Sequence, residues 1–190
     1  MKKLLMVFVI IILNFSIYGQ NYKGYYVTIK NDTIKCDFDI FVNLFNSEKF
    51  DPQTVRNKIK IITNNGEKLK FKPNEINSFF ISKTNSGDYK FVSIANHNYF
   101  YHEIIKGKLS YYKVYLNNSG GALGILISEQ LYLLKGGKLV EINPLNLRKG
   151  LSKQIVDYPD LNQKWIDSDK YYKLNQFEEV VKLYNKHFDN

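Results

Sequence analysis

The feature that most constrains the fold of this chain is a long series of short segments in which apolar and polar residues alternate. The series runs from residue 23 to about residue 143, and turn-forming residues such as Asn, Asp and Gly interrupt it. Alternation with a period of two predicts β-strands that are buried on one face. Strands are predicted at residues 25–30, 33–41, 58–63, 67–72, 75–83, 89–95, 98–106, 108–117, 125–135 and 138–143. Strands in such a series predict a mostly antiparallel β-sheet or open barrel of about 8–10 strands.

One hairpin in the series has a register that the sequence itself favours. Its loop contains Asn64-Asn65-Gly66. A three-residue loop sets Ile61 opposite Leu69, whereas a two-residue loop would set Ile61 opposite Lys70. The apolar match favours the three-residue loop, and that loop class requires a left-handed residue at the position of Gly66.

The same register concentrates positive charge on one side of the hairpin, which we call the lysine face. Its members are Lys58, Lys60, Lys68, Lys70 and Lys72. The register sets Lys60 opposite Lys70 and Lys58 opposite Lys72, and like charges that face each other across two strands destabilise a sheet. An anionic partner would remove this penalty, which makes the lysine face a candidate anion-binding site. The alternative is a solvated face whose long side chains spread apart and protect an edge strand.

The hydrophobic period changes after Pro144. Leu145, Leu151 and Ile155 predict a helix that ends before Pro159, and a second short helix follows around Trp165. A last amphipathic helix is predicted from the spacing of Phe177, Val180, Val181 and Tyr184.

Strands followed by two or three helices define an α+β protein. We expect residues 20–143 to form a β-rich body and residues 144–190 to form a helical tail packed on it. Together they have the length of one domain.

The amino terminus predicts export. Met1-Lys2-Lys3 is basic, residues 4–13 are all apolar, and the small residue Gly19 precedes Gln20. This order is typical of a secretory signal peptide, here residues 1–19. The apolar run is short of the roughly 20 residues that cross a bilayer, although an uncleaved, tilted anchor is the alternative. We expect a periplasmic, outer-membrane-associated or extracellular protein without a stable membrane span after signal cleavage.

Composition argues against nucleic-acid binding and against a disulfide framework. The net charge is +9, but Arg56 and Arg148 are the only arginines, and nucleic-acid recognition relies on arginine. Cys36 is the only cysteine. Alternation places it on one strand face with Ile34, Phe38 and Ile40, which predicts a buried apolar role; a reactive thiol is the alternative.

Residues with catalytic chemistry are sparse. His97 and His102 are separated by an odd number of residues, so they point to opposite faces of one strand and make a poor metal site. We expect no metal and no cofactor, and the catalytic residues of any enzyme stay unknown. Asp37 and Asp39 share a strand face, and with Glu103 they are candidates for a carboxylate-dependent hydrolase.

Two functions follow from these patterns. The first is a non-enzymatic envelope protein that binds another envelope component or an anionic glycan. The second is a secreted hydrolase that uses the carboxylates. A cleft that holds two carboxylates would favour the enzyme, and a flat basic sheet face would favour binding.

Several short segments occur in a distinctive order. They are KGYYVT at 23–28 with DTI at 32–34, PNEINSF at 73–79, IKGKLSYY at 105–112, PDL at 159–161, and the closing segment 180–185. In this order they resemble an uncharacterised family of secreted proteins from Bacteroidetes. The resemblance implies export and a β-rich body, and it implies no activity, cofactor or catalytic residue.

Overall fold

A computed structural model describes the backbone of residues 19–41, 50–119, 125–168 and 174–189. These ranges hold ten strands and three α-helices. The strands are β1 (Gly19–Thr28), β2 (Thr33–Phe41), β3 (Ile59–Ile62), β4 (Lys68–Phe71), β5 (Ile76–Thr84), β6 (Gly87–Ser93), β7 (Phe100–Ile105), β8 (Leu109–Ser119), β9 (Ile125–Lys135) and β10 (Lys138–Ile142). The helices are α1 (Leu147–Ser152), α2 (Pro159–Asp167) and α3 (Leu174–Phe188). Apart from Gly19, the predicted signal peptide lies outside the described residues.

All ten strands belong to one antiparallel sheet with the spatial order β10-β9-β8-β7-β6-β5-β1-β2-β3-β4. β1 joins two meanders, because it pairs with β2 on one side and with β5 on the other. β4 and β10 are the edges, so the sheet is open. The α+β architecture that the sequence predicted is therefore confirmed as an open antiparallel sheet followed by helices.

The half of the sheet that contains β4 is strongly curled. The chain from Phe71, the last residue of β4, to Ile76, the first of β5, can span at most about 17 Å. In a flat sheet the four strand spacings between β4 and β5 would require about 19 Å. The rings of Tyr26 in β1 and Phe71 in β4 lie only 5.0 Å apart across two intervening strands. We call the concave side of the sheet its inner face and the convex side its open face.

Two hairpins of this half close with the same three-residue loop. In the β3–β4 loop, the Gly66 N–H donates to Thr63 O at 2.9 Å, and Gly66 has a φ of 80°, as predicted. In the β1–β2 loop, Asn31 occupies the equivalent position with a φ of 69°. This loop begins at Ile29, so β1 ends at Thr28 and not at residue 30 as predicted.

The curled half of the inner face is covered by the segment 50–57, which contains a short 3₁₀ helix at Pro52–Val55. Phe50 inserts its ring between Tyr22 and Tyr89, at 5.6 and 4.7 Å. The Arg56 carbonyl accepts a 2.7 Å hydrogen bond from the Phe100 N–H, which fixes the end of the segment on β7. The aromatic core beneath includes Phe38, Phe79, Phe91 and Phe100.

The three helices cover the other half of the inner face. Phe177, Val181 and Tyr184 of α3 are fully buried, as their spacing predicted. The Asn185 side chain, also buried, accepts from the Leu109 N–H at 2.8 Å and donates to the Leu109 carbonyl at 2.9 Å. Asn185 thus acts as a hydrogen-bonding partner for the first residue of β8. Within the described residues, no helix combines the length and apolarity needed to cross a membrane.

The predicted helix through Leu145, Leu151 and Ile155 is wrong in its extent and in the burial of Leu145, whereas Leu151 and Ile155 are buried as predicted. Leu145 is 95% exposed in a short 3₁₀ helix, and α1 starts only at Leu147. The extended φ of −139° at Asn146 interrupts the helical path, so Leu147 and Leu151 form the buried stripe. α2 agrees with its prediction.

Candidate anion-binding site

The lysine face lies on the open side of the edge hairpin β3–β4. Lys60 is the direct cross-strand partner of Lys70, as the sequence predicted. Lys68 lies on the same side, two residues from Lys70, and all three side chains are exposed. Their apolar neighbours in the alternation, Ile59 and Ile61, are buried on the inner face. The edge of the sheet therefore presents like charges side by side.

The two outer lysines flank this pair. Lys58 and Lys72 are exposed, but the ladder of paired residues ends at Ile59 and Phe71, so the predicted Lys58–Lys72 pairing is not part of the ladder. The Lys72 backbone N–H donates instead to the Glu75 carboxylate at 2.7 Å. A carboxylate thus lies next to this end of the lysine face.

Asp37 and Asp39 also lie on the open face, beside the lysines. Asp37 is the cross-strand partner of Ile62 in β3 and of Lys23 in β1. Asp39 lines a cavity of about 300 Å³ together with Lys60. None of the ion pairs within 4.0 Å in the described parts of the chain includes either aspartate. The two sites that the sequence treated separately therefore share one surface.

Glu103 does not join these carboxylates. It lies on β7, where it forms a 2.7 Å ion pair with Lys90, and its side chain is 12% exposed. Four strand spacings, about 19 Å along the sheet, separate β7 from β2. Paired carboxylates of glycosidases are only about 5–10 Å apart. The cavity that contains Asp39 contains neither Asp37 nor Glu103, so this geometry does not favour the hydrolase.

His97 and His102 pack against aromatic side chains of the sheet. His102 points to the inner face, where its Nδ1 lies 2.7 Å from the Tyr115 hydroxyl and its ring packs on Tyr89 and Phe91. Burial, helped by the nearby Lys113 charge, lowers the pKa of His102 to about 4. His97 lies in the turn before β7, beside Tyr101, and not on the strand as predicted. Within the described ranges, no three His, Cys, Asp or Glu side chains are grouped as metal ligands.

Cys36 is a core residue. It is 4% exposed, and burial, with a contribution from Asp37, raises the pKa of its thiol to about 12. The prediction that Cys36, Phe38 and Ile40 are buried on one strand face is correct, whereas Ile34 is 38% exposed beside the β1–β2 turn.

Sequence reasoning missed the part of the open face that β1 and β5 contribute. Tyr25 in β1 has Lys35 as its partner in β2 and Phe80 as its partner in β5. The alternation of apolar and polar residues indicates which face of its own strand each residue occupies, but it does not indicate which strands are neighbours. Only the long-range pairing of β1 with β5 shows that they are neighbours.

Comparisons with protein-family models, with curated proteins and with solved structures found no match to this chain.

Proposed function

We propose that this chain is an exported, non-enzymatic envelope protein that binds an anionic envelope partner through the lysine face. Export rests on the signal-like amino terminus. The observation that carries the binding site is the direct pairing of Lys60 with Lys70 on an exposed sheet edge. An anionic group between them would replace a repulsion by two attractions.

The proposed site is a surface and not a reaction centre. Exposed ammonium groups on long, flexible side chains act as point charges, and they suit a partner with many charges better than a single oriented substrate. At 0.1 M salt, interactions between exposed charges are largely screened beyond about 10 Å, and this distance shortens as salt is added. Binding through this face should therefore weaken as salt is added.

The test compares the purified protein with the Lys60→Gln/Lys70→Gln variant on a lipopolysaccharide surface across a salt series. Loss of two exposed ionic contacts should weaken binding about tenfold at low salt. Lys149→Gln/Lys153→Gln removes the same charge from exposed positions on and after α1, and it should bind like the wild type. Equal retention of all three proteins at every salt concentration would contradict the proposed site.

A further inference from the structure

The open face continues from the lysine face into a row of directly paired residues. Lys35 on β2 pairs with Tyr25 on β1, Tyr25 with Phe80 on β5, and Phe80 with Lys90 on β6. The row therefore reads cation, ring, ring, cation across four neighbouring strands. The segment 50–57 and the three helices pack on the inner face, which leaves this row on the opposite side of the sheet.

The two rings form an apolar platform between charges. Their centroids are 5.3 Å apart, with an angle of 18° between the ring planes. Both side chains remain partly exposed, whereas Tyr26 and Phe79, their neighbours along the two strands, are buried on the inner face. Rigid aromatic side chains lose little conformational entropy when a ligand packs on them. The platform thus adds an apolar contact next to the lysines of this face.

The cations beside the platform differ in what they already contact. Lys90 is held by Glu103 at 2.7 Å. Lys35 is exposed and belongs to no ion pair within 4.0 Å among the described residues. Lys23, also exposed, lies two residues from Tyr25 on the same side of β1. Lys35 and Lys23 are therefore able to receive an anionic group next to the rings.

We infer that the ligand of this face is an anionic polysaccharide, an inference that rests on the proposed function. A sugar ring offers an apolar C–H face to the Tyr25–Phe80 platform, while its carboxylate or sulfate groups meet the lysines. On the convex side of the curled sheet, a path from Lys70 on β4 to Phe80 on β5 crosses four strand spacings, which is at least about 19 Å along the surface. A ligand that contacts both must be an extended polymer of sugars and not a single sugar.

The experiment uses two polymers that carry one carboxylate per unit and differ in the sugar ring. They are polygalacturonate and poly-L-glutamate, and binding of the purified protein to each is measured at low salt. The wild type should bind polygalacturonate more tightly. Tyr25→Leu/Phe80→Leu should weaken binding to polygalacturonate about tenfold and leave binding to poly-L-glutamate unchanged within a factor of two.

Two further variants control for folding and for aromatic content. Phe80→Leu alone keeps Tyr25 and should weaken polygalacturonate binding about threefold, which preserves the comparison if the double variant does not fold. Tyr158→Leu removes a ring that stacks on His187 at 3.9 Å in the helical tail, and it should bind both polymers like the wild type.

The outcomes separate this inference from the proposed function. Equal wild-type affinity for the two polymers, or unchanged polygalacturonate binding by Phe80→Leu, would overturn the inference that the ligand is a polysaccharide. In that case, a loss in Lys60→Gln/Lys70→Gln on both polymers would still support the anion-binding face. Failure of the wild type to bind either polymer would overturn both proposals.

Discussion

Asn185 and Gly107 provide a quantitative test of how the helical tail is attached to the sheet. Asn185 makes two buried hydrogen bonds to the backbone of Leu109, and its removal would leave one donor and one acceptor of Leu109 without that partner. A buried polar group that loses its partner costs about 1–3 kcal/mol. Asn185→Ala should therefore lower the free energy of unfolding by about 3 kcal/mol.

Gly107 is close enough to Asn185 for the two substitutions to interact. A Cβ at Gly107 would lie 2.7 Å from Asn185 Oδ1 and closer still to its Cγ, and the two hydrogen bonds to Leu109 prevent the amide from moving away freely. Gly107→Ala should thus cost about 2 kcal/mol in the wild type, by breaking one or both bonds. In the Asn185→Ala background the clashing amide is gone. Gly107 has no positive φ, so alanine there should be neutral or stabilise by about 0.5 kcal/mol through the unfolded chain.

The assay is urea unfolding of the wild type, the two single variants and the double variant. Trp165, the only tryptophan, lies buried in α2, so its fluorescence reports on the helical tail, while far-ultraviolet circular dichroism includes the sheet. If the tail and the body are one domain, both signals should give the same midpoint in every variant. Equal costs of Gly107→Ala in the two backgrounds would refute the predicted contact, and separate midpoints would refute the single domain.

Three further predictions concern the loop, the buried histidine and the amino terminus. Gly66→Val should destabilise the protein by about 1 kcal/mol or more, because a branched side chain resists a φ of 80° although the space around it is free; a melting temperature equal to that of the wild type would contradict this. His102 stays neutral in the folded protein down to a pH of about 4, the value of its lowered pKa, but takes up a proton in the unfolded chain below pH 6.5. Between pH 6.5 and 4, the free energy of unfolding should therefore fall by about 3 kcal/mol more in the wild type than in His102→Gln. Chemical unfolding measures both proteins across this range, and an equal fall in the two would contradict the prediction. Mass spectrometry of envelope and medium fractions should find a mature chain beginning at or near Gln20, and an intact Met1 terminus there would contradict export with cleavage.

Features set by neighbouring residues could be predicted from the sequence. The β3–β4 register follows from a three-residue loop and two short apolar patterns, and it is confirmed by the pairing of Ile61 with Leu69. The spacing that buries Phe177, Val181 and Tyr184 is also local, since these residues share one side of a helix. In both cases the apolar pattern and the local geometry select the same arrangement.

The errors arose where a short element depends on one backbone conformation. Leu145 lies six residues before Leu151 and ten before Ile155, which is not the spacing of one helix face, and Asn146 departs from the helical path between them. Pro144 starts a 3₁₀ helix, in which the Asn143 side chain accepts from the Leu145 N–H at 2.9 Å. Asparagine competes in this way for backbone groups, and the hydrophobic period alone does not reveal where it succeeds.

Local sequence patterns could not predict which residues share the open face, because that set depends on the pairing of strands that are far apart in the sequence. β2 and β3 are connected through residues 42–58, too long a segment to determine a register, so the position of Asp37 beside Ile62 does not follow from the sequence.

Asp37 and Asp39 lower the net positive charge of the open face below the charge that its lysines alone would give. Exposed ion pairs contribute only about 0–1 kcal/mol each, so charge alone supports weak binding here. A specific partner must gain affinity from another contact, and Tyr25 with Phe80 supplies an apolar contact on the same face.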